Sequence, residues 1–334
     1  MSADELAPIV RLAPAKVNLT LSVVERRGDG FHALHSVMVP LGLADRLSLA
    51  RAAASTDSLH VVGGEDGRTT LDPADFGSVL AGIEAARRVV GRGADAFPIA
   101  ARLEKRIPIA AGLAGGSSDA AAAIDGAVDA WGVEMTAGDR ARIGATVGSD
   151  VPFFFAGGPA LVEGRGERVS PLRRFAGSAP GIVLVTPAVE VATAEAFRVL
   201  DSDPAAAPAD RGSTRLTSEH LAAELGPGYP AMTADELIRR AGAFAVANDL
   251  ARAADIVAPG LRQLRRALTR LLGVPIGLTG SGPTLWALYP SQDAAEEAAR
   301  RIRDEHAAGL LESPGEGAPF VAATTIEGQG RTSA

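Results

Sequence analysis

The segment from residue 107 to residue 128, which reads IPIAAGLAGGSSDAAAAIDGAV, limits the possible folds of this chain more than any other. Its glycines let a backbone approach a ligand closely, and the alanine-rich stretch after them predicts a helix over residues 117–131. A helix that begins directly after a glycine turn presents the positive end of its dipole, which suits phosphates. The same pattern also fits a capped helix without a ligand, which is the commoner case for a short motif on its own.

Two familiar nucleotide-binding patterns do not fit this segment. The P-loop pattern requires a lysine directly after its last glycine, but Ser117 and Ser118 follow Gly116. The glycine spacing also differs from the G-x-G-x-x-G pattern of dinucleotide-binding folds. If the segment binds phosphates, it therefore belongs to another class of nucleotide site.

The length of 334 residues and the hydrophobic share of 47% predict a globular protein with two lobes. Proline and glycine cluster between residues 171 and 181, so we divide the chain into domains 1–172 and 173–334. The net charge of −7 argues against nucleic acid as the main partner, and the absence of cysteine excludes disulfides and thiolate catalysis. No apolar run approaches the roughly 18 residues of a membrane helix and the N-terminus has no basic region, so we expect a cytoplasmic protein without a membrane partner.

Strand and helix patterns are mixed along the chain without a regular repeat. Apolar or alternating runs predict separate strands at residues 9–13, 17–24, 35–43 and 45–52. Residues 202–232 contain many prolines, alanines and glycines and predict a loose loop, and the last six residues predict a disordered tail. Because strands do not alternate regularly with helices, we favour an α+β fold over a doubly wound sheet.

Three further segments carry candidate chemistry. Of the 33 basic residues only Lys16 and Lys105 are lysines. In PAKVNLTL, a strand would place Lys16 and Asn18 on one face, where the ammonium could stabilise negative charge in a cleft or simply face solvent. In GSDVPFF, Asp150 is either a base beside a cleft or an ordinary turn residue. TGSGPT, residues 279–284, is either a tight turn or a second wall of the same site.

The segment GDGFHALH contains two histidines, His32 and His35, in the spacing H-x-x-H. A metal site is disfavoured because no third ligand follows at a helical spacing, and metal ligands stay unassigned. An aromatic residue beside a histidine in a loop is also suited to stacking on a nucleotide base and reading its edge.

These motifs occur together and in one order over about residues 10–290, and they resemble the GHMP small-molecule kinases. More narrowly, RRGDGFH with PAKVNL, and GSDVPFF with the downstream GRGE, resemble the family of 4-diphosphocytidyl-2-C-methyl-D-erythritol kinases. The resemblance implies an α+β, two-lobe GHMP kinase fold with the active site in the cleft between the lobes. It also implies ATP as phosphoryl donor, Mg²⁺ as cofactor, and phosphorylation of the 2-hydroxyl of a cytidine diphosphate-linked polyol in non-mevalonate isoprenoid synthesis.

The resemblance also assigns roles to residues of this chain. Asp150 falls on the catalytic aspartate and Lys16 on its partner lysine. The substrate-binding positions fall on Asn18, Phe31, His32, Thr193 and Phe197. The nucleotide-binding positions fall on Lys105, Pro108, Ala110, Ala111, Gly112, Leu113, Ala114, Gly115, Gly116, Ser117 and Ser118.

The chain departs from the family pattern at several positions. Ala114 stands where the family has a glycine; an alanine there fits a negative φ and makes close approach of the backbone less free. Phe31 stands where the family often has tyrosine, and Met38 where it sometimes has an aromatic residue. DFGSVL, residues 75–80, replaces an Asn-Leu start that lies near the adenine.

Two alternatives remain open at this point. The chain could be another GHMP kinase, acting on homoserine, mevalonate or a sugar, although a cytosine clamp of Phe31, His32 and Phe197 has no use there. It could also be a ligand-binding protein that kept the fold without catalysis, although Lys16 and Asp150 are both present. The sequence is compatible with a monomer or a homodimer.

Overall fold

The computed structural model describes residues 7–64, 69–91, 97–204 and 211–326, which form two β-sheets with helices packed on them. The predicted C-terminal tail lies outside these residues. Helices are segregated on the sheets rather than alternating with every strand, so the predicted α+β class is confirmed. No helix in the described ranges is long and apolar enough to cross a membrane.

The first sheet has strand order β4-β3-β5-β2-β6-β7, with β1 paired along β2. Its strands are β1 Ile9–Arg26, β2 His32–Arg51, β3 Ser58–Gly63, β4 Thr69–Leu71, β5 Ile99–Glu104, β6 Ala160–Gly164 and β7 Arg168–Pro171.

A long antiparallel hairpin of β1 and β2 is the centre of this sheet. The four predicted runs are strand, but they join in pairs into two continuous strands instead of four shorter ones. Pro14 pairs with Ala44 and Lys16 with Pro40, so a register irregularity lies where both prolines occur. A proline cannot donate to the ladder, but a bulge absorbs the missing hydrogen bond without ending the strand. Two more irregularities, after Asn18 and after Val23, leave Lys16 and Asn18 between bulges.

Three helices pack on this sheet: α1 Ser78–Val90, α2 Gly115–Ala130 and α3 Ala137–Val147. Helix α2 is almost entirely buried, and Ala120 to Ala123 are fully inaccessible to solvent. Thr136 caps the start of helix α3 and forms a capping box with Asp139. Two short 3₁₀ turns, Pro73–Phe76 and Val151–Phe155, lie beside these helices.

The second sheet is antiparallel with strand order β11-β8-β10-β9. Its strands are β8 Gly181–Thr186, β9 Gly277–Leu278, β10 Leu285–Tyr289 and β11 Phe320–Thr325. The helices of this half are α4 Thr193–Ser202, α5 Arg211–Glu224, α6 Ala234–Arg239, α7 Ala241–Val246, α8 Ala251–Val257, α9 Leu261–Leu272 and α10 Gln292–Ala307.

The segment 202–232 contains helix α5, so the prediction of a loose loop there was wrong. Thr214, Ser218, Leu221 and Leu225 are buried at helical spacing. This stripe packs on β1 and β2 of the first sheet. Only two of the four buried residues are apolar, so the amphipathic pattern that would predict this helix is weak in the sequence, and its burial depends on the partner surface.

A shared core joins the two sheets. Val17 and Val37 of the first sheet belong to the same buried cluster as Leu184 and Trp286 of the second. The division between domains at residues 172 and 173 therefore crosses a continuous core and stays a prediction.

Candidate active site

A cavity of about 520 Å³, which we call the central cavity, is lined by segments from both halves of the chain. The segments include β1, the loop before α2, the turn at residues 147–151, the start of α4 and the turn at residues 280–281. All four candidate motifs for phosphate chemistry therefore reach one space. The lining contains these predicted site residues: Lys16, Asn18, Lys105, Pro108, Ala110, Ala111, Gly112, Leu113, Ala114, Gly115, Gly116, Ser117, Asp150, Thr193 and Phe197.

Lys16 and Asp150 form an ion pair in this cavity. The Nζ atom of Lys16 lies 3.6 Å from Oδ2 of Asp150. It also donates hydrogen bonds of 2.9 Å to Oδ1 of Asn18 and 3.1 Å to the carbonyl oxygen of Gly112. The Lys16 side chain is 5% exposed whereas that of Asp150 is 31% exposed. The ammonium is thus held by three oxygens, while the carboxylate remains accessible from the cavity.

Asn18 is fixed by hydrogen bonds on every polar atom of its side chain. Its Nδ2 donates to Oγ of Ser36 at 2.8 Å, and its Oδ1 accepts from Oγ1 of Thr279 at 3.2 Å as well as from Lys16. The backbone N–H of Asn18 donates to the same Thr279 hydroxyl. Asn18 therefore links the first strand to the TGSGPT turn and orients Lys16.

The loop of residues 107–118, which we call the glycine loop, packs tightly on the TGSGPT turn. The Thr284 hydroxyl donates to the carbonyl oxygen of Ala111 at 2.7 Å. Gly112 has a φ of +75°, and a Cβ atom there would lie 2.6 Å from the carbonyl oxygen of Gly282. Because both its φ and this close approach require a residue without a side chain, Gly112 sets the distance between the two turns.

Ala114 adopts the left-handed conformation, with φ 55° and ψ 33°, directly before α2. The condition under which an alanine fits this position without strain, a negative φ, is therefore not met. A left-handed alanine costs about 1–2 kcal/mol, so contacts of the surrounding residues must hold this turn in its strained conformation. The carbonyl oxygen of Ala114 accepts from the N–H of Ser118 at 3.0 Å, which starts the helix.

The two serines of the glycine loop differ in exposure. Ser117 is partly exposed and lines the central cavity, whereas Ser118 is 1% exposed. Within the described residues the Ser118 hydroxyl has no hydrogen-bond partner. A buried hydroxyl without a partner at a helix start is unusual and fits a site that binds an external oxygen or cation.

Lys105 lies against the glycine loop, but its ammonium is held by two carboxylates. It contacts Oδ2 of Asp45 and, at 2.9 Å, Oδ2 of Asp119, and both carboxylates are fully buried. Burial raises the pKa of Asp119 to about 7, against the lowering effect of Lys105, and Asp45 raises it further. Burial opposes the charge on Lys105, yet Asp119 and Asp45 together raise its pKa. The ammonium of Lys105 thus contacts two carboxyl groups, and Asp119 is the one that readily holds a proton.

The aromatic residues predicted for the substrate are only partly brought together. Thr193 and Phe197 line the central cavity, and Oγ1 of Thr193 lies 2.9 Å from Oγ of Ser281. His32 stacks on Phe197, with ring centroids 4.6 Å apart and planes at 16°. Phe31 is 51% exposed and has the Arg165 guanidinium 5.4 Å from its ring centroid. Phe31 and His32 are outside the residues that line the cavity.

The histidines of the H-x-x-H motif have separate partners. His35 is buried and its Nδ1 lies 2.8 Å from the Ser218 hydroxyl, whereas Nε2 of His32 lies 2.8 Å from Asp201. Among the residues that the structure describes, no group of three histidine, aspartate or glutamate side chains is arranged to hold a metal ion.

Comparison with known proteins gives the family. Family models described as GHMP kinases N terminal domain and GHMP kinases C terminal match residues 79–158 and 231–308. A 4-diphosphocytidyl-2-C-methyl-D-erythritol kinase of Anaeromyxobacter sp. is 39% identical over 311 residues, which cover 88% of this chain and 86% of that protein. A protein of the same name from Exiguobacterium sibiricum is 31% identical over 300 residues, covering 88% and 94%.

The chain belongs to the 4-diphosphocytidyl-2-C-methyl-D-erythritol kinase family. It is accordingly an ATP-dependent small-molecule kinase of the GHMP class. A crystal structure of a 4-(cytidine 5'-diphospho)-2C-methyl-D-erythritol kinase superposes with a TM-score of 0.65 at 30% identity, covering 95% of this chain and 99% of that one. A homoserine kinase from Cytophaga hutchinsonii gives a TM-score of 0.66 at 19% identity, covering 99% and 98%, and shows the shared fold alone.

Several residues around this kinase site were missed by reasoning from sequence. Asp45 and Asp119 hold Lys105, and Ser36 and Thr279 hold Asn18. Thr279 opens a motif that the sequence did single out, but nothing in the sequence marks Asp45 or Ser36. Their role arises from strand pairing, which brings residues distant in sequence into contact.

The segment DFGSVL, where the family has Asn-Leu, also reaches the site. Its residues Asp75, Phe76 and Ser78 line the central cavity at the start of α1. The family departure therefore changes the wall of the cavity next to the glycine loop, where a Cβ at Gly116 would lie 3.6 Å from the Ser78 hydroxyl.

Proposed function

We propose that this kinase transfers the γ-phosphoryl group of ATP to the 2-hydroxyl of 4-diphosphocytidyl-2-C-methyl-D-erythritol. The observation that carries the proposal is the Lys16–Asp150 pair, which faces the same cavity as the glycine loop. A base and a phosphate cradle that share one cavity are what a direct transfer between two substrates requires. The names of the relatives support the choice of substrate.

Asp150 is proposed to accept the proton of the attacked hydroxyl or to orient that hydroxyl for in-line attack. Its carboxylate is the accessible member of the ion pair. Lys16 lies beside this carboxylate and offsets charge on the transferring phosphoryl group. Because Lys16 is itself held by Asn18 and the Gly112 carbonyl, no side-chain reorganisation is needed when the reaction begins.

The glycine loop is proposed to hold the triphosphate of ATP. Backbone N–H groups at the start of the 16-residue helix α2 and the hydroxyls of Ser117 and Ser118 supply donors for phosphate oxygens. Phosphoryl transfer depends on positioning and charge stabilisation more than on covalent chemistry, so a preformed loop is suited to it. Pro108, Ala110, Ala111 and Leu113 form the remainder of this wall of the cavity.

Mg²⁺ is proposed as the accompanying cation, with the hydroxyls of Ser117 and Ser118 as the protein oxygens that hold it together with the phosphates. The partnerless, buried Ser118 hydroxyl fits this assignment, because Mg²⁺ prefers oxygen ligands and keeps several waters or phosphate oxygens. When bound, the ion neutralises charge on the phosphate oxygens.

The cytidine end of the substrate is proposed to bind around Phe197, His32 and Phe31, with Thr193 as a polar contact. Asn18 is proposed to lie near the substrate at its reacting end, beside Lys16. Phe197 and Thr193 already line the central cavity, and His32 packs on Phe197. A flat apolar ring next to a polar edge is how single nucleotides are recognised in proteins.

A coupled assay of ADP release tests the proposal. Turnover is expected with ATP and 4-diphosphocytidyl-2-C-methyl-D-erythritol and not with mevalonate or homoserine at equal concentration. CMP and CDP should compete with the cytidyl substrate and not with ATP. Turnover of mevalonate or homoserine at a comparable kcat/KM would overturn the proposed substrate, and no turnover of any of the three would overturn the assignment of catalysis.

A further inference from the structure

One face of α4 holds the imidazole of His32. Thr193, Phe197 and Asp201 are spaced by four residues, so they lie above one another on this face. Phe197 stacks on the His32 ring at 4.6 Å, and Oδ1 of Asp201 lies 2.8 Å from its Nε2. The His32 side chain is only 8% exposed. The ring is therefore fixed by one neighbour on its face and another at its edge.

The Asp201 contact determines which nitrogen of His32 carries a proton. A carboxylate only accepts, so Nε2 must be the protonated nitrogen and donate to Asp201. In a neutral imidazole, Nδ1 is then an acceptor. Within the described residues Nδ1 of His32 makes no hydrogen bond, so this acceptor is left for a ligand.

We infer that Asp201 is a positioning residue that makes His32 select cytosine over uracil. The inference rests on the proposed function, which supplies the cytidine nucleotide. Cytosine carries an exocyclic amino group, which donates, where uracil carries a carbonyl oxygen, which accepts. An Nδ1 acceptor pairs with the amino group and repels the carbonyl oxygen. Without Asp201, the imidazole can adopt the other tautomer, whose Nδ1–H pairs with the carbonyl oxygen of uracil and not with the amino group of cytosine.

Binding of CDP and UDP, measured by calorimetry, tests this role without the chemical step. The wild-type enzyme is expected to bind CDP more tightly than UDP. Asp201→Ala should reduce that preference by about tenfold, which corresponds to a typical hydrogen bond to a charged or well-placed group. Asp201→Asn should restore most of it, because the amide oxygen still accepts from Nε2–H.

Arg26→Ala is the matched control. Nε of Arg26 lies 3.7 Å from Oδ2 of Asp201, so the variant removes the other charged neighbour of this carboxylate and leaves the contact with His32. Its preference for CDP should stay within twofold of the wild-type value. An equal loss of preference in Arg26→Ala and Asp201→Ala would indicate an effect of local charge and would overturn the inference.

The tautomer itself is measured by long-range ¹H–¹⁵N correlation of the imidazole nitrogens. The chain has five histidines, and His32→Gln assigns the signal of interest. The wild-type ring should show the Nε2–H form, and Asp201→Ala should show a mixture. A wild-type Nδ1–H form, or a CDP preference unchanged in Asp201→Ala, overturns the inference while leaving the proposed function intact. Failure of the wild-type enzyme to bind either nucleotide overturns the proposed function instead, whatever the tautomer.

Discussion

The ammonium of Lys16 lies 3.6 Å from a carboxylate oxygen of Asp150, although the two residues lie on a strand of the first sheet and on a turn after α3. Lys16 is buried and bonded to Asn18 and Gly112 in addition. The lysine is therefore a fixed charge around which the strand, the glycine loop and the aspartate turn are assembled. Asp150 is the partner that faces the cavity.

Asp150→Asn should lower kcat by about 10²–10⁴-fold, because an amide cannot accept the hydroxyl proton. Thermal unfolding should change little, since Lys16 keeps two neutral oxygen partners and the Asp150 side chain is 31% exposed. Steady-state kinetics with calorimetry of the same sample measure both. Asp293→Asn, an exposed carboxylate at the start of α10, is the control and should retain wild-type turnover. A kcat for Asp150→Asn within about threefold of wild type would exclude the base role.

Ala114→Gly should raise the free energy of unfolding by about 0.5–1 kcal/mol. The substitution relieves the left-handed strain at φ 55°, and the greater freedom of glycine in the unfolded chain offsets part of the gain. Urea denaturation measures the change. Ala122→Gly, in the buried interior of α2, is the matched control and should lower the free energy of unfolding by about 1 kcal/mol or more. A loss of stability in both variants would show that Ala114 is not strained.

Gly112→Ala should destabilise the protein by about 1–3 kcal/mol, because its Cβ would lie 2.6 Å from the Gly282 carbonyl oxygen at a φ of +75°. Gly116→Ala, in the first turn of α2, would meet only the Ser78 hydroxyl at 3.6 Å and should gain up to about 1 kcal/mol from helix propensity. Urea denaturation of both variants compares the same chemical change at two positions in one loop. Equal effects would mean that the glycine loop does not pack on the TGSGPT turn as described.

Asp119 should make stability depend on pH between about pH 4 and pH 7. Burial raises the folded-state pKa of this carboxyl to about 7 from an ordinary value of 3.8, so in this window the folded protein binds a proton that the unfolded chain has lost. The free energy of unfolding therefore falls as pH rises through the window, by up to about 1.4 kcal/mol per pH unit from this group.

Asp119→Asn removes that fall because an amide does not titrate. The difference in unfolding free energy between wild type and Asp119→Asn, measured by urea denaturation at several pH values, isolates the group from the other carboxylates. Asp293→Asn serves again as the control and should follow the wild-type pH dependence. Parallel curves for wild type and Asp119→Asn would contradict a raised pKa.

Lys105 illustrates what reasoning from sequence reached and what it missed. The scarcity of lysine drew attention to Lys105, and the family resemblance placed it near the nucleotide. The register of β2 with β5 decides that Asp45 lies beside it, and the packing of α2 brings Asp119 to the same point. Asp45 lies in no motif and Asp119 lies in the glycine-loop motif, but neither contact with Lys105 was predicted, because both depend on tertiary pairing.

Ala114 and α5 show that local sequence patterns can also fail to predict the backbone conformation of a segment. The conformational preference of an isolated alanine indicates a negative φ, but Ala114 is left-handed. The carbonyl oxygens of Leu113 and Ala114 accept from the backbone N–H groups of Lys16 and Ser118, which tie this turn to β1 and to α2. The composition of residues 202–232 indicates a loop, but helix α5 forms there because it buries a stripe of residues on the surface of β1 and β2.

The sequence by itself determined the α+β class, the helices with strong caps and periodicity, and the family, because these depend on short-range patterns and on motifs that recur in one order. Tertiary structure alone decided which charged groups meet: Lys16 with Asp150, Lys105 with Asp45 and Asp119, and His32 with Asp201. These contacts join segments that are distant in the chain. Their geometry follows from strand register, bulges and helix packing, which no local pattern encodes.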